Sequence, residues 1–254
     1  MREPLFSEGA ERPIISAVIP AFNEESTVGD VVSRALRHVD EVIVADDGST
    51  DKTAVIAKAS GAEVTRTDTN KGAIMALARG LRFASGDILV TLDADGQHDP
   101  DEIPKLLEPI LNNRADLVLG RRPKIAYFSE RLIAALTRFR VDVHDACTGY
   151  RAIAKKIIDC MYLHGSCTCG TFVLEAHSLG ARVVEVPIAI EEIWRKARQD
   201  ETHKADPLRP VRPSQVLNDT SLSAGLSQYP RHTLARLAYP RPFSRSPQQP
   251  PCPC

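Results

Sequence analysis

Apolar positions along the first 120 residues follow two alternating rhythms. Short, continuous apolar runs mark buried strands, and apolar residues at three- and four-residue spacing mark helices. The runs predict strands at 14–19, 41–45, 62–65, 87–92 and 115–119. The helical spacing predicts helices at 25–38, 52–60, 72–83 and 100–111. The first of these puts Val28, Val31, Val32, Ala35 and Leu36 on one face, and the third Ile74, Leu77, Ala78 and Leu81. Strands that are apolar throughout are covered on both faces. The expected fold class is therefore α/β, a Rossmann-like, mostly parallel sheet with helices on both faces.

Beyond residue 120 the rhythm is less regular. Residues 128–139 carry Phe128, Leu132, Ile133, Ala135, Leu136 and Phe139 at helical spacing, flanked by Arg131, Arg138 and Arg140. Two readings are open there. One is a helix packed on the domain; the other is an interfacial helix whose arginines meet anionic lipid headgroups. Residues 170–179 read as a helix, and 182–186 and 188–190 as short strands separated by Pro187. From Pro207 onward the chain holds ten of its 18 prolines, six arginines and a single acid, Asp219. That composition predicts a disordered Pro/Arg-rich C-terminal tail. The expected organisation is an N-terminal extension (1–13), one folded domain (14–205) and the tail (206–254).

Composition narrows the class. A net charge of -1 argues against nucleic acid as a partner, because a dedicated binder carries a basic excess. The chain has no run of 18 apolar residues, so no membrane span is expected. Its polar first 13 residues lack the apolar core of a signal peptide, and a cytoplasmic location is the expectation. Six cysteines in such a chain are expected to be reduced. Cys167-Thr168-Cys169 has no second Cys/His pair at zinc-site spacing and reads as small, partly buried residues.

The candidate chemistry sits where predicted strands end, the edge at which open α/β sheets bind ligands. After the fourth strand comes Asp93-Ala94-Asp95-Gly96-Gln97. Two carboxylates one residue apart, with a nearby amide oxygen, form a hard oxygen site suited to Mg²⁺ or Mn²⁺ shared with substrate phosphates. After the second strand comes Val44-Ala45-Asp46-Asp47-Gly48-Ser49-Thr50-Asp51. Asp46 there reads either as an acceptor of hydrogen bonds from a nucleotide base or as a structural acid. Ser49, Thr50 and Asp51 suit the start of the next helix. After the first strand, Ile19-Pro20-Ala21-Phe22-Asn23-Glu24-Glu25 joins a rigid proline turn to polar side chains that can hold a base and ribose. Capping alone does not explain three polar strand ends on one edge.

These segments, in this order and with Asn70-Lys71-Gly72 between them, resemble family 2 glycosyltransferases of the GT-A fold. Within that family the chain is most similar to the polyprenyl-phosphate (dolichyl-phosphate) sugar synthases, over roughly residues 14 to 205. Gly120-Arg121-Arg122 stands at the place of the family's Gly-Ser-Arg. Asp145-Ala146-Cys147-Thr148-Gly149-Tyr150-Arg151 matches its Asp-x-x-Ser-Gly-Phe-Arg, and Gly170-Thr171-Phe172 with Glu175 resembles a segment that closes over the site.

The resemblance implies an inverting, metal-dependent transfer of a sugar from a UDP- or GDP-linked donor to a polyprenyl phosphate. It carries the catalytic positions to Asp95, Arg122 and Asp145. The metal positions fall on Asp95 and Gln97, with Asp93 in support. Donor contacts fall on Pro20, Phe22, Glu24, Val44, Asp46, Asp93, Ala94, Arg122 and Arg195, and acceptor-phosphate contacts on His144, Thr148 and Arg151. A lipid acceptor implies peripheral association with the cytoplasmic face of a membrane. The Asp-Gly-Gln-His form resembles members that make dolichyl-phosphate N-acetylglucosamine, with mannose and glucose also open. Two alternatives remain: a family 2 transferase with a polysaccharide or other non-lipid acceptor, and a non-catalytic nucleotide-sugar-binding protein.

Overall fold

The computed structural model describes residues 12–125, 127–163 and 170–189. Strand β1 (Ile15–Ala21) leads through α1 (Val28–Ala35) to β2 (Glu41–Asp46), then α2 (Thr53–Ala59), β3 (Glu63–Arg66), α3 (Ala73–Phe83) and β4 (Ile88–Thr91). A 3-10 turn (Pro100–Glu102) opens α4 (Ile103–Leu111), and β5 (Leu117–Arg121) and α5 (Phe128–Arg138) follow. After them come β6 (Arg151–Ala154), the one-turn α6 (Lys155–Ile158), α7 (Thr171–Ser178) and β7 (Val183–Pro187). The described strands form one sheet in the order β3-β2-β1-β4-β6-β5-β7. All pairings are parallel except those that β6 makes with β4 and β5.

The continuous apolar runs follow from burial on both faces. Ala17, Ile19, Val42, Val44, Ile88 and Val90 pack with Val31, Val32 and Ala35 of α1 and with Ile103, Leu106 and Ile110 of α4. Their strand neighbours Val18, Ile43, Leu89, Leu117, Leu119 and Ile153 face the other way, against Leu77 and Leu81 of α3 and Phe172, Val173 and Ala176 of α7.

Helix α1 starts three residues later than its apolar spacing predicts. The backbone N–H groups of Glu24 and Glu25 donate to Thr53 Oγ1 (2.8 Å) and Asp51 Oδ2 (3.2 Å), so the neighbouring loop holds them in place of a helical turn. Strand β7 runs through Pro187, paired to Arg121 at an edge position where the missing N–H costs nothing. Strand β6 and α6 have no counterpart in the apolar pattern. Four buried residues led by an arginine show neither alternation nor a long run.

Cys147 is a free thiol, whereas Cys160 is disulfide-bonded. This corrects the expectation of reduced thiols throughout; cysteine spacing alone does not choose a pairing. The expected tail, Cys167-Thr168-Cys169, Arg195 and most of the N-terminal extension lie outside the described residues. Among the described residues, no helix is long and apolar enough to cross a membrane.

Candidate active site

One edge of the sheet collects the candidate residues. The carboxyl ends of β1, β2, β4, β5 and β7 all point to it, with Ala21 beside Asp46 and Arg121 beside Pro187. Because β6 is antiparallel, its amino end arrives at the same edge, where Arg151 pairs with Thr91. A segment that precedes its strand, residues 145–151, thereby meets three loops that follow theirs.

The first two loops are fastened together. Asn23 Oδ1 accepts from Thr50 N (2.9 Å), Ser49 Oγ from Asn23 N (3.0 Å), and Glu25 Oε2 from Lys52 N (3.0 Å). Asp47 accepts from Lys71 N (3.0 Å) and Gly72 N (2.7 Å), which ties the Asn70-Lys71-Gly72 segment down. Gly48 has a φ of +79°, and a Cβ there would lie 2.8 Å from the Thr69 carbonyl carbon, so only glycine fits.

Asp46 is different. It is wholly buried, and its Oδ1 accepts from Ser49 N at 3.1 Å. Its Oδ2 lies 3.2 Å from Arg66 Nε without hydrogen-bond geometry and accepts no hydrogen bond. A buried carboxylate oxygen with no donor is costly unless a ligand supplies one. Val44 and Ala94 are packed into the core.

In the acidic loop, Asp95 Oδ1 accepts from Gln97 N (3.1 Å), a tight turn at Gly96 with φ of +74°. Asp93, about half exposed, sits 3.6 Å from Nδ1 of buried His98, and that nitrogen accepts from Asp93 N at 3.4 Å. His98 stacks on Tyr150, with ring centroids 5.1 Å apart, and Tyr150 donates its hydroxyl to Asp99 O at 2.9 Å. Thr91 Oγ1 donates to Gly149 O at 2.7 Å. The acidic loop and residues 149–151 are thus braced at several points. Among the described residues no three His, Cys, Asp or Glu groups converge as a ready metal cage. Two acids and an amide leave coordination positions to substrate oxygens, which suits Mg²⁺ or Mn²⁺ shared with a diphosphate.

Arg151 is almost fully buried, its guanidinium 4.5 Å from the Phe172 ring centroid. Burial lowers its pKa to about 10 while the Asp93 charge works the other way, so it stays cationic at neutral pH. A cavity of about 80 Å³ lies among Pro20, Ile74, Asp93, Gly149 and Arg151. Thr148 is also buried, and its Oγ1 accepts from Tyr150 N at 3.2 Å.

Arg122 is the centre of a knot. Its Nε and Nη2 donate to the two Asp145 oxygens at 2.7 and 2.8 Å, and Nη2 also donates to Glu130 Oε2 at 3.0 Å. Burial works to lower its pKa, but these two carboxylates outweigh it and raise the value above the ordinary arginine range. The charges of buried Asp145 and half-buried Arg122 are therefore already paired. Glu185, a lone acid in the apolar strand β7, accepts from the backbone N–H of His144 (2.8 Å) and Asp145 (2.6 Å), and its Oε2 lies 3.0 Å from His144 Nδ1. A second cavity of about 390 Å³ is walled by Arg121, Arg122, Ile125, His144 and Ile188. Beside it, burial and the Glu130 and Asp145 charges push the Cys147 thiol up to about 11, which keeps it protonated.

The sequence reading brought Pro20, Asp46, Asp93, Asp95, Gln97, His144, Thr148 and Arg151 to this one edge, and the structure places them there. Phe22 and Glu24 are half-buried on the first loop. His98, Glu130, Tyr150 and Glu185 were given no role in the sequence reading. Their only sequence signal is a polar or aromatic residue within or beside a motif, and the same holds for exposed Arg121.

An open α/β sheet with an acidic pair, a buried carboxylate and a basic cavity along its carboxyl edge has the layout of a group transferase of the GT-A type. The chain belongs to glycosyl transferase family 2, whose family model matches residues 16–174. It is 34% identical over 168 residues to the dolichol-phosphate mannosyltransferase of Pyrococcus furiosus, covering 57% of this chain and 47% of that protein. It is 37% identical over 132 residues to a UDP-N-acetylglucosamine–dolichyl-phosphate N-acetylglucosaminyltransferase of Methanococcus voltae, covering 44% of this chain and 53% of that one. The chain thus spans about half the length of these two relatives. Among solved structures it is similar to the glucosyl-3-phosphoglycerate synthase of Mycobacterium tuberculosis, seen with Mn²⁺, uridine diphosphate and glucosyl-3-phosphoglycerate. That likeness has a TM-score of 0.60 and 29% identity and covers 69% of this chain and 70% of that one. The protein is a glycosyltransferase.

Proposed function

We propose that this enzyme moves a hexose or N-acetylhexosamine from a UDP- or GDP-sugar to a polyprenyl phosphate, with Mg²⁺ or Mn²⁺. Its product would supply glycan or protein glycosylation. One observation carries the reading: a buried Asp46 oxygen that accepts no hydrogen bond, the Asp93/Asp95 pair and a basic, partly apolar cavity line a single edge. The names of the two dolichyl-phosphate relatives support the acceptor, and the Mn²⁺ and uridine diphosphate of the structural neighbour support the donor and metal.

In this reading Asp46 Oδ2 accepts a base N–H, and Pro20, Phe22 and Glu24 wall the nucleoside. Asp95 and Gln97, with Asp93 in support, would hold the metal, which when bound would stabilise negative charge growing on the leaving diphosphate. The acceptor phosphate has a second pKa of about 6 and is already a nucleophile at neutral pH. The protein therefore has little proton chemistry to do, and alignment supplies most of the rate. His144 and Arg121 line the cavity and in this reading meet the acceptor phosphate. Arg122 and Asp145 hold that wall rigid, and Thr148 and Arg151 act from behind, the first by shaping the loop and the second by its charge beside Asp93. The lipid acceptor puts the enzyme at a membrane surface.

A second reading, a soluble phosphorylated acceptor, is favoured by the structural neighbour, whose bound product is glucosyl-3-phosphoglycerate. Thermal melting with a panel of UDP- and GDP-sugars, with and without Mn²⁺, tests the donor side. One nucleotide class should raise the melting temperature, and only with metal. Adding polyprenyl phosphate or 3-phosphoglycerate as a second ligand tests the acceptor: further stabilisation by the lipid alone is expected, and by phosphoglycerate alone would select the second reading.

A further inference from the structure

Helix α5 has two faces with opposite fates. Its inner face is packed: Ala134 and Thr137 are buried, and Glu130 holds Arg122 at 3.0 Å. Its outer face is bare. Phe128 is 78% and Phe139 84% exposed, and Tyr127, Leu132 and Leu136 are each more than half exposed. Residues 128, 132, 136 and 139 fall within about 80° of one another around a helix of 3.6 residues per turn, so they form one continuous apolar stripe. Scattered exposed apolar residues are ordinary, but a stripe of this length marks a contact surface.

The stripe has a basic rim. Arg131 and Arg138 project on one side of it and Arg140, just past the helix end, on the other; all three are exposed. One exposed acid, Asp142, lies near, 3.5 Å from Arg138. The acid of the helix's first turn, Glu130, is turned inward to Arg122. An apolar face rimmed by arginines, with the acid withdrawn, has the charge pattern of an element lying in the plane of an anionic bilayer. The chain also passes from the cavity wall at Ile125 into α5 at Phe128 within three residues.

We propose that the outer face of α5 rests on an anionic membrane, with Phe128, Leu132, Leu136 and Phe139 in the acyl boundary and Arg131, Arg138 and Arg140 among the headgroups. The proposal rests on the reading of the acceptor as a lipid phosphate and specifies how the enzyme reaches it. Through Glu130, the docked helix is also tied to Arg122, so docking and the cavity wall form one mechanical unit.

Flotation of the full chain with vesicles of phosphatidylcholine, alone or mixed with phosphatidylglycerol, tests the proposal. The wild type should float with the anionic vesicles and lose binding as salt rises. Phe128→Ser with Phe139→Ser should lower partitioning at least about tenfold. Arg131→Glu with Arg138→Glu should lower it about as much on anionic vesicles only, since each basic group near such a surface contributes about fivefold. Transfer to a short-chain, water-soluble isoprenyl phosphate should stay at the wild-type rate in both pairs, which shows that they fold. If the phenylalanine pair fails that control, the arginine pair, on the exposed rim, decides the matter. Wild-type protein that ignores both vesicle types, or variants that float as well as wild type, would overturn the proposal. So would a concentration-dependent dimer abolished by the phenylalanine pair, since a second copy would then be the occupant. Vesicle binding without transfer to any polyprenyl phosphate would uphold the docking surface and sink the acceptor reading.

Discussion

Gly149→Ala is the substitution that separates function from stability most cleanly. The added Cβ would stand 3.0 Å from Asp93 Oδ2 and 3.2 Å from Oδ1, tighter than ordinary van der Waals contact. Gly149 is not among the residues of positive φ, so alanine adds no backbone strain. The glycine cannot retreat, because its carbonyl accepts from Thr91 Oγ1 and the Tyr150 and Arg151 that follow it are buried. Asp93 must therefore move, and its half-exposed carboxylate can do so at little cost. Gly→Ala also stabilises by about 0.4–1 kcal/mol through the unfolded chain, which roughly offsets the crowding. The melting temperature should thus stay within about 4 °C of wild type. Activity should not survive as well. The carboxylate must give by a few tenths of an ångström, less than the ~1 Å misplacement that costs about 100-fold, so a drop of about 5- to 10-fold in kcat/KM, or about 1–1.4 kcal/mol, is expected. Steady-state transfer measured against Mn²⁺ concentration should also show a raised metal requirement. Wild-type kcat/KM in a folded variant would refute the placement of Asp93 in the donor site.

Asp46→Asn preserves shape but puts an amide donor where Oδ2 awaits one; nucleotide-induced melting shifts should vanish and donor KM should rise about tenfold or more. Asp145→Ala leaves the half-buried Arg122 with Glu130 alone, and a loss of about 1.5–3 kcal/mol in denaturant unfolding is expected, against under 1 kcal/mol for an exposed-pair control such as Asp142→Ala. Asp116 and Glu41 supply the pH dependence. Burial works to raise each carboxyl, but Arg182 on Asp116, and Ser16 with Ser85 on Glu41, lower both below their ordinary values. A depressed folded-state pKa means stability fully present above the unfolded value, about pH 4–4.5, and lost as pH falls through the folded one. Urea midpoints should hold from pH 7 to about pH 5 and decline below it, and the decline should be shallower in Asp116→Asn.

Much of this was legible in the primary structure because burial on both faces writes long apolar runs. The helices α1, α3 and α4 and strands β1, β2, β4 and β5 were found that way, and the acidic motifs at their ends followed. Strand β6 was not legible: it is four residues long, begins with an arginine and is apolar only because the sheet closes over it. Missing it concealed how residues 145–151 reach the donor edge. Arg122 looked in sequence like a free cation for phosphate; its pairing with Asp145 and Glu130 depends on contacts 23 and eight residues away that no local pattern encodes. The arginine-flanked stripe of α5 was visible as a pattern, but only the structure shows which face is covered.

The central claim is a transfer from a nucleotide-sugar to a lipid phosphate through the acidic edge. The direct measurement incubates the enzyme with Mn²⁺, polyprenyl phosphate and radiolabelled UDP- or GDP-sugars, and counts label in the organic phase, beside the Asp95→Ala variant. The account predicts organic-phase label from one donor class with wild type, and none above background with the variant. Label that stays aqueous on a soluble acceptor, or an Asp95→Ala enzyme that transfers at the wild-type rate, would contradict it.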